Sequence, residues 1–140
     1  MAGFIPPEHK KILVDLSNGR AAPAGYTSTT RYLGLLTGLP EGIVSLSALN
    51  GYEVTTSGYA RLAVAFNAAT ETDGIVQGVN TAALTSANMG ADMIPAPYAF
   101  LTTAASGYTG ILLYVWSLAE PVQALSGKPW FVPASGLVVE

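Results

Sequence analysis

The side chains in this sequence that could do acid–base or metal chemistry are a single histidine, His9, and one close pair of carboxylates, Glu71 and Asp73. A catalytic histidine needs a nucleophile and an orienting carboxylate, and a metal-bound one needs further ligands at set spacings. His9 stands in PEHKK beside Lys10 and Lys11 with neither pattern around it, so it reads as a solvated helix residue. Glu71 and Asp73 fall in ATETDGI, where Asp73-Gly74 marks a turn. A calcium site there would require more oxygen ligands than the stretch supplies. Serine and threonine are common, but no G-x-S-x-G elbow and no phosphate-binding glycine loop occurs. No catalytic, cofactor-binding or metal-binding residue is expected, and the chain reads as not an enzyme.

Charged residues make up 11% of the chain and apolar ones 50%, against roughly 25% charged in an average soluble protein. That is too little charge to coat an independent monomer, which predicts that partners cover part of the surface. The cations Lys10, Lys11, Arg20, Arg31, Arg61 and Lys128 are scattered and the net charge is −3, so the basic footprint of a nucleic-acid binder is missing. Without cysteine there is no disulfide framework. The longest apolar run, ILLYVW at 111–116, is far shorter than the roughly 18 residues of a membrane span. Prolines and charges occupy MAGFIPPEHKK where a signal peptide needs an apolar stretch. Neither nucleic acid nor membrane is expected as a partner, and an intracellular origin is.

The 140 residues suit one core. Residues 1–6 read as an extended arm, because Pro6 and Pro7 disfavour helix before them. Pro7 suits a first helical turn, and Ile12, Leu13 and Leu16 before Asn18-Gly19 predict one or two amphipathic turns. Residues 20–30, RAAPAGYTSTT, read as a loop. From Arg31 onward, short apolar runs alternate with turn residues, and strands are expected over 31–37, 52–55, 58–66, 74–79, 81–86, 98–103, 111–118 and 128–132, with a terminal piece at 137–140. This predicts an all-β domain, a β-sandwich or jelly-roll-like fold over 31–140, preceded by an arm, short helix and loop over 1–30. LPEGIVSLSAL at 39–49 fits either a short helix or a covered loop, with Ile43, Val44, Leu46 and Leu49 as its apolar residues.

Two strands carry most of the functional argument. In SGYARLAVAF (57–66), Ala60, Leu62, Val64 and Phe66 alternate as a core face, leaving Tyr59, Arg61, Ala63 and Ala65 as a flat surface suited to another layer or subunit. Arg61, the one charge there, reads as an ion-pairing or carbonyl-binding residue rather than a catalytic one. ILLYVWSL is apolar on both faces, Ile111, Leu113 and Val115 against Leu112, Tyr114, Trp116 and Leu118, so it is covered twice, by the N-terminal helix or by another subunit. Pro129 and Pro133 bracket Trp130-Phe131-Val132 as an edge strand. The candidate interface residues are Phe4, Ile5, Tyr59, Arg61, Tyr114, Trp116 and Trp130, the aromatics being read as packing or contact residues before sugar platforms.

The order RYLGLLTGLPEG, NGYEVTTSGYARLAVAF, GVNTAALTS, YAFLTTAASGYTGILLYVWSL and GKPWFVPASGLVVE resembles the small virion structural proteins of tailed bacteriophages. The distinctive parts are EVTTSGYAR at 53–61 and the closing run 127–139, and the similarity covers about residues 31–140. Members are often labelled tail-fibre proteins, and similar small β-sandwiches serve as capsid decoration. The resemblance implies a non-enzymatic virion component, made in the bacterial host cytoplasm and placed on the capsid surface or tail. The leading expectation is capsid cement that stabilises the head as a homotrimer in contact with the major capsid protein. The alternatives are a tail-fibre or tail-tip component and a receptor- or glycan-binding module. No cofactor is expected.

Overall fold

The computed structural model describes residues 2–43 and 45–140; Met1 and Val44, the latter one of the apolar residues of the undecided 39–49 segment, lie outside the described residues. The stretch expected to be an extended arm holds a strand, β1 (Ala2–Phe4). It is followed by α1 (Pro7–Ser17), which starts where Pro6 holds an extended backbone and Pro7 occupies the first turn, the one place where a missing N–H costs nothing. Asn18 closes the helix by donating its N–H to the carbonyls of Val14 and Asp15. Its 11 residues make about three turns, longer than the one or two expected. A Lys11–Asp15 pair one turn apart, at 2.7 Å, adds to a sequence whose apolar content alone is modest.

The main sheet is antiparallel and five-stranded. It contains β2 (Arg31–Leu36), β3 (Leu62–Val64), β7 (Ala96–Thr102) and β8 (Leu112–Val122), in the order β1-β8-β7-β2-β3. Two small sheets form the second layer: β4 (Thr70–Thr72) with β5 (Ile75–Val79) and β10 (Val138–Val139), and β6 (Leu84–Thr85) with β9 (Phe131–Val132). The all-β class expected from the turn spacing is what the chain adopts. Several strands are shorter than expected. The stretch 58–66 is a strand only over Leu62–Val64, and Glu53 makes a single bridge, to Leu36. Ala60 is exposed rather than core, while Val64 is buried and Leu62 and Phe66 are half-buried.

Leu33, Leu35, Leu101, Trp116, Trp130, Val132 and Leu137 fill the core between the two layers. On the opposite face of the main sheet, Leu36, Phe100, Leu112 and Val115 pack under Leu46 and Leu49 of a 3₁₀ helix (Leu46–Leu49). Within the 39–49 segment, Leu46–Leu49 is therefore the short helix, and it covers that face. β8 is covered twice by its own chain, but not with the expected division. Leu101 pairs with Tyr114 and Thr102 with Leu112, so Leu113 is an extra residue in the strand. Such a bulge breaks the period of two: Leu112 joins Val115 in one cluster and Leu113 joins Tyr114 and Trp116 in the other, while Tyr114 and Trp116 stay together as expected.

β2 and β7 approach closely at Gly34, where a Cβ would overlap the Phe100 ring and lie 2.9 Å from Glu53 Oε2. Gly34→Ala is expected to cost about 1–3 kcal/mol of folding stability through this overpacking. Urea unfolding measures it; a midpoint equal to that of the wild type would mean that the ring and carboxylate shift freely.

Candidate functional site

The distinctive EVTTSGYAR stretch builds a buried polar centre. A tight turn, with Tyr59 N–H donating to Thr56 O, folds 53–61 back so that Glu53 and Arg61 meet. Arg61 Nε donates to Glu53 Oε2 at 2.8 Å and Nη2 to Oε1 at 3.1 Å, a two-pronged pair whose side chains are 2% and 12% exposed. The remaining guanidinium N–H groups reach across the fold to Ala104 O (2.9 Å) and Gly107 O (2.8 Å). Its plane also sits over the rings of Phe100 and Tyr108. Glu53 takes two further hydrogen bonds, from the hydroxyls of Tyr59 and Tyr108, both at 3.1 Å. Tyr59 in turn accepts the Leu35 N–H. Burial first, and then the Glu53 carboxylate, hold the Tyr59 hydroxyl well above the ordinary tyrosine value of 10.0. The same two causes raise Tyr108. Arg61 is thus both the ion-pairing and the carbonyl-binding residue that its sequence context suggested.

A second set of ties fixes α1. Glu8 Oε2 accepts the N–H groups of Leu112 (2.9 Å) and Leu46 (3.2 Å), pinning the helix to β8 and to the 3₁₀ helix together. His9 is not a free, solvated side chain. Its Nδ1–H donates to Leu113 O at 2.9 Å and its Nε2 lies 3.0 Å from the Tyr26 hydroxyl. Beside these ties an apolar cleft of about 390 Å³ opens between α1, the 20–30 loop and the second layer. Phe66, Val76, Leu101, Leu113 and Val139 form its walls, and Arg31, Gln77 and Glu140 lie at its rim.

The remaining expected chemistry resolves into structure. Asp73 and Gly74 both have positive φ, 53° and 80°, which makes a two-residue hairpin turn between β4 and β5. Glu71 accepts the Gly74 N–H at 2.6 Å and supports that turn. Among the described residues no group of three or more His, Cys, Asp or Glu could hold a metal ion, and no helix is long and apolar enough to cross a membrane.

The candidate interface residues separate into two groups. Phe4 is exposed and Ile5 half-buried at the surface end of β1. Trp116 and Trp130 are 0% exposed, Tyr114 4% and Arg61 8%, so in this fold they offer a partner almost no side-chain surface. Trp116 Nε1 donates instead to Val138 O at 2.7 Å, tying the two layers, and Tyr59 stacks against Trp130. The tryptophans that a glycan platform would use are both interior. Exposed apolar side chains lie where alternation did not single them out, at Ile75, Val76, Ile94, Leu125 and Phe131. Glu53 and Glu8 were equally unassigned. A lone carboxylate in an otherwise uncharged stretch, eight residues from a lone arginine, is the signal that could have paired Glu53.

A small all-β domain with exposed apolar patches is the class that these features define. The family model described as "Podophage GP4 fiber I protein gp80" matches residues 9–140, and the chain belongs to that family. It is accordingly a virion structural protein of a tailed phage, of the fibre kind. Among curated proteins none matches.

Glu53→Gln leaves the Arg61 charge buried without a counter-ion and is expected to cost about 3–5 kcal/mol. Replacing both partners, Glu53→Leu with Arg61→Met, should cost less than the sum of the single changes, as read by denaturant unfolding. Additive losses would mean that the two residues act separately. The alkaline limb of stability tests the tyrosines. Above the ordinary tyrosine value the unfolded chain releases protons that folded Tyr59 keeps, so stability is complete below pH 10 and falls beyond it. One such group gives a slope of about −1.4 kcal/mol per pH unit. Tyr59→Phe should flatten that limb, and an unchanged slope would move the effect elsewhere.

Proposed function

We propose that this protein is a non-enzymatic fibre component of the phage particle, built in through its surfaces by contacts with copies of itself and with neighbouring virion proteins. The observation that carries the reading is membership, over residues 9–140, of a phage fibre family. The polar side chains with unusual surroundings support it. Arg61, Glu53, Glu8 and His9 are each occupied in cross-linking the fold, which leaves none of them free to act on a substrate. The surface supports it too, since branched and aromatic side chains stand exposed on several separate segments. Covering them would favour association by about 25 cal/mol per Å² gross, much reduced by the cost of ordering the partners. Three copies is the stoichiometry that the resemblance to phage structural β-sandwiches implies.

Capsid cement, in contact with the major capsid protein, is the second reading. The low charge of the chain favours it, because a decoration protein keeps much of its surface covered. Imaging of purified particles with a tag fused after Glu140 separates the two. Label on fibres at the tail is expected; label over the head lattice would replace the fibre reading with cement, and unlabelled particles would remove both.

A further inference from the structure

An asparagine or aspartate can close a succinimide ring when the next backbone nitrogen reaches its side-chain carbonyl, and glycine, having no Cβ, permits that approach best. The chain holds three such steps, Asn18-Gly19, Asn50-Gly51 and Asp73-Gly74. Its other asparagines and aspartates precede Leu, Ala, Thr or Met, whose side chains crowd the attack. In two of the three steps the glycine nitrogen is tied. Gly19 N–H donates to Leu16 O at 3.0 Å in the turn that ends α1, and Gly74 N–H donates to Glu71 Oε1 at 2.6 Å in the β4–β5 hairpin. Gly51 differs: among the described residues its N–H has no acceptor, and nothing lies within 4 Å of where its Cβ would stand.

The local backbone explains that freedom. Tyr52 N–H donates to Leu49 O at 3.0 Å and closes a turn whose central residues are Asn50 (φ −59°, ψ 125°) and Gly51 (φ 94°), the values of a type II turn. The peptide between Asn50 and Gly51 is the middle plane of the turn, and among the described residues neither its C=O nor its N–H is hydrogen-bonded. Types I and II differ mainly in the orientation of this plane, so it can rotate while the closing bond is kept. The Gly51 nitrogen can therefore turn onto the Asn50 amide at no cost in hydrogen bonds. Both residues are exposed, so base and water reach them.

We propose that Asn50 is a site of spontaneous covalent modification in the folded protein, converting through a succinimide to aspartate and isoaspartate, with Asn18 held back. The Gly51 nitrogen gives up its proton to base and attacks Asn50 Cγ. An N–Cγ bond forms, the Cγ–Nδ2 bond breaks, and the nitrogen leaves as ammonia after taking a proton from solvent. Water then opens the ring, at Cγ to give aspartate or at the main-chain carbonyl to give isoaspartate, whose backbone runs through the former side chain. Either product places a new carboxylate three residues before Glu53. Isoaspartate also lengthens the main chain by one methylene, in the turn that joins buried Leu49 of the 3₁₀ helix to the Glu53–Arg61 pair.

Tryptic mass mapping after incubation in mildly alkaline buffer tests the assignment, because Asn18 and Asn50 fall in separate peptides, 12–20 and 32–61, each with one amide side chain. In the folded chain the amide-to-acid mass gain is expected about fivefold faster at Asn50 than at Asn18, the factor by which a hydrogen bond of ordinary strength holds the Gly19 nitrogen back. In concentrated urea, where both turns are lost, the two rates should become alike. Asn50→Gln should abolish the gain in 32–61, and thermal unfolding checks that this variant is folded. Equal rates at the two sites in the folded chain, or an Asn50 that reacts in urea and not when folded, would overturn the proposal.

Discussion

A guanidinium and a carboxylate brought face to face in a low-dielectric interior must be satisfied on every side, and the Glu53–Arg61 pair governs this fold because it is. Arg61 is bound by one carboxylate, two backbone carbonyls and two aromatic faces, while Glu53 is bound by one guanidinium and two phenols. These contacts draw together two stretches with little regular structure, 53–61 and the 103–110 loop, beside the β2–β7 pairing at Gly34. A chain with no cysteine has no covalent way to fasten such loops. Here a charged side chain does so, and its removal would leave buried groups without partners.

The same economy of polar groups explains how a chain so poor in charge keeps an ordered shape. Glu8 satisfies two N–H groups at the point where α1, β8 and the 3₁₀ helix converge, and His9 continues that seam to Tyr26. Buried Asn80 does likewise in the second layer, bonding Leu137 N–H, Ala82 O and Pro133 O. Arg61, Asn80 and Thr102 are the polar side chains buried among the described residues, and the exposed surface carries the scattered charges together with small side chains and a few large apolar ones. That distribution is in keeping with the proposed role, contact with neighbouring copies and virion proteins.

Much of the architecture was legible in order. The runs 31–37, 74–79, 98–103 and 111–118 became β2, β5, β7 and β8 because each is rich in apolar strand-forming residues, though β8 runs on past 118 to Val122. The double coverage of β8 was legible for the same reason. The division of its faces was not, since a bulge at Leu113 arises from pairing with β7 and leaves no mark on the local pattern. The arm became β1 because an edge of β8 was open to it, which depends on the sheet and not on Ala2–Phe4.

The candidate site divides along the same line. Arg61 stood out by itself as a lone charge in an apolar stretch, and its general role followed from arginine chemistry. Its carbonyl partners lie 43 and 46 residues away, and those of Glu8 lie 38 and 104 away, so no local spacing could reveal them. Tyr114, Trp116 and Trp130 looked like contact residues because large aromatics serve interiors and interfaces equally well. Only the closing of the second layer over them made them core. The sequence by itself determined the strand periodicity, the turns and the scarcity of charge, all properties read without knowing the fold. Tertiary structure decided which apolar side chains stayed outside, because burial depends on what the rest of the chain brings within reach.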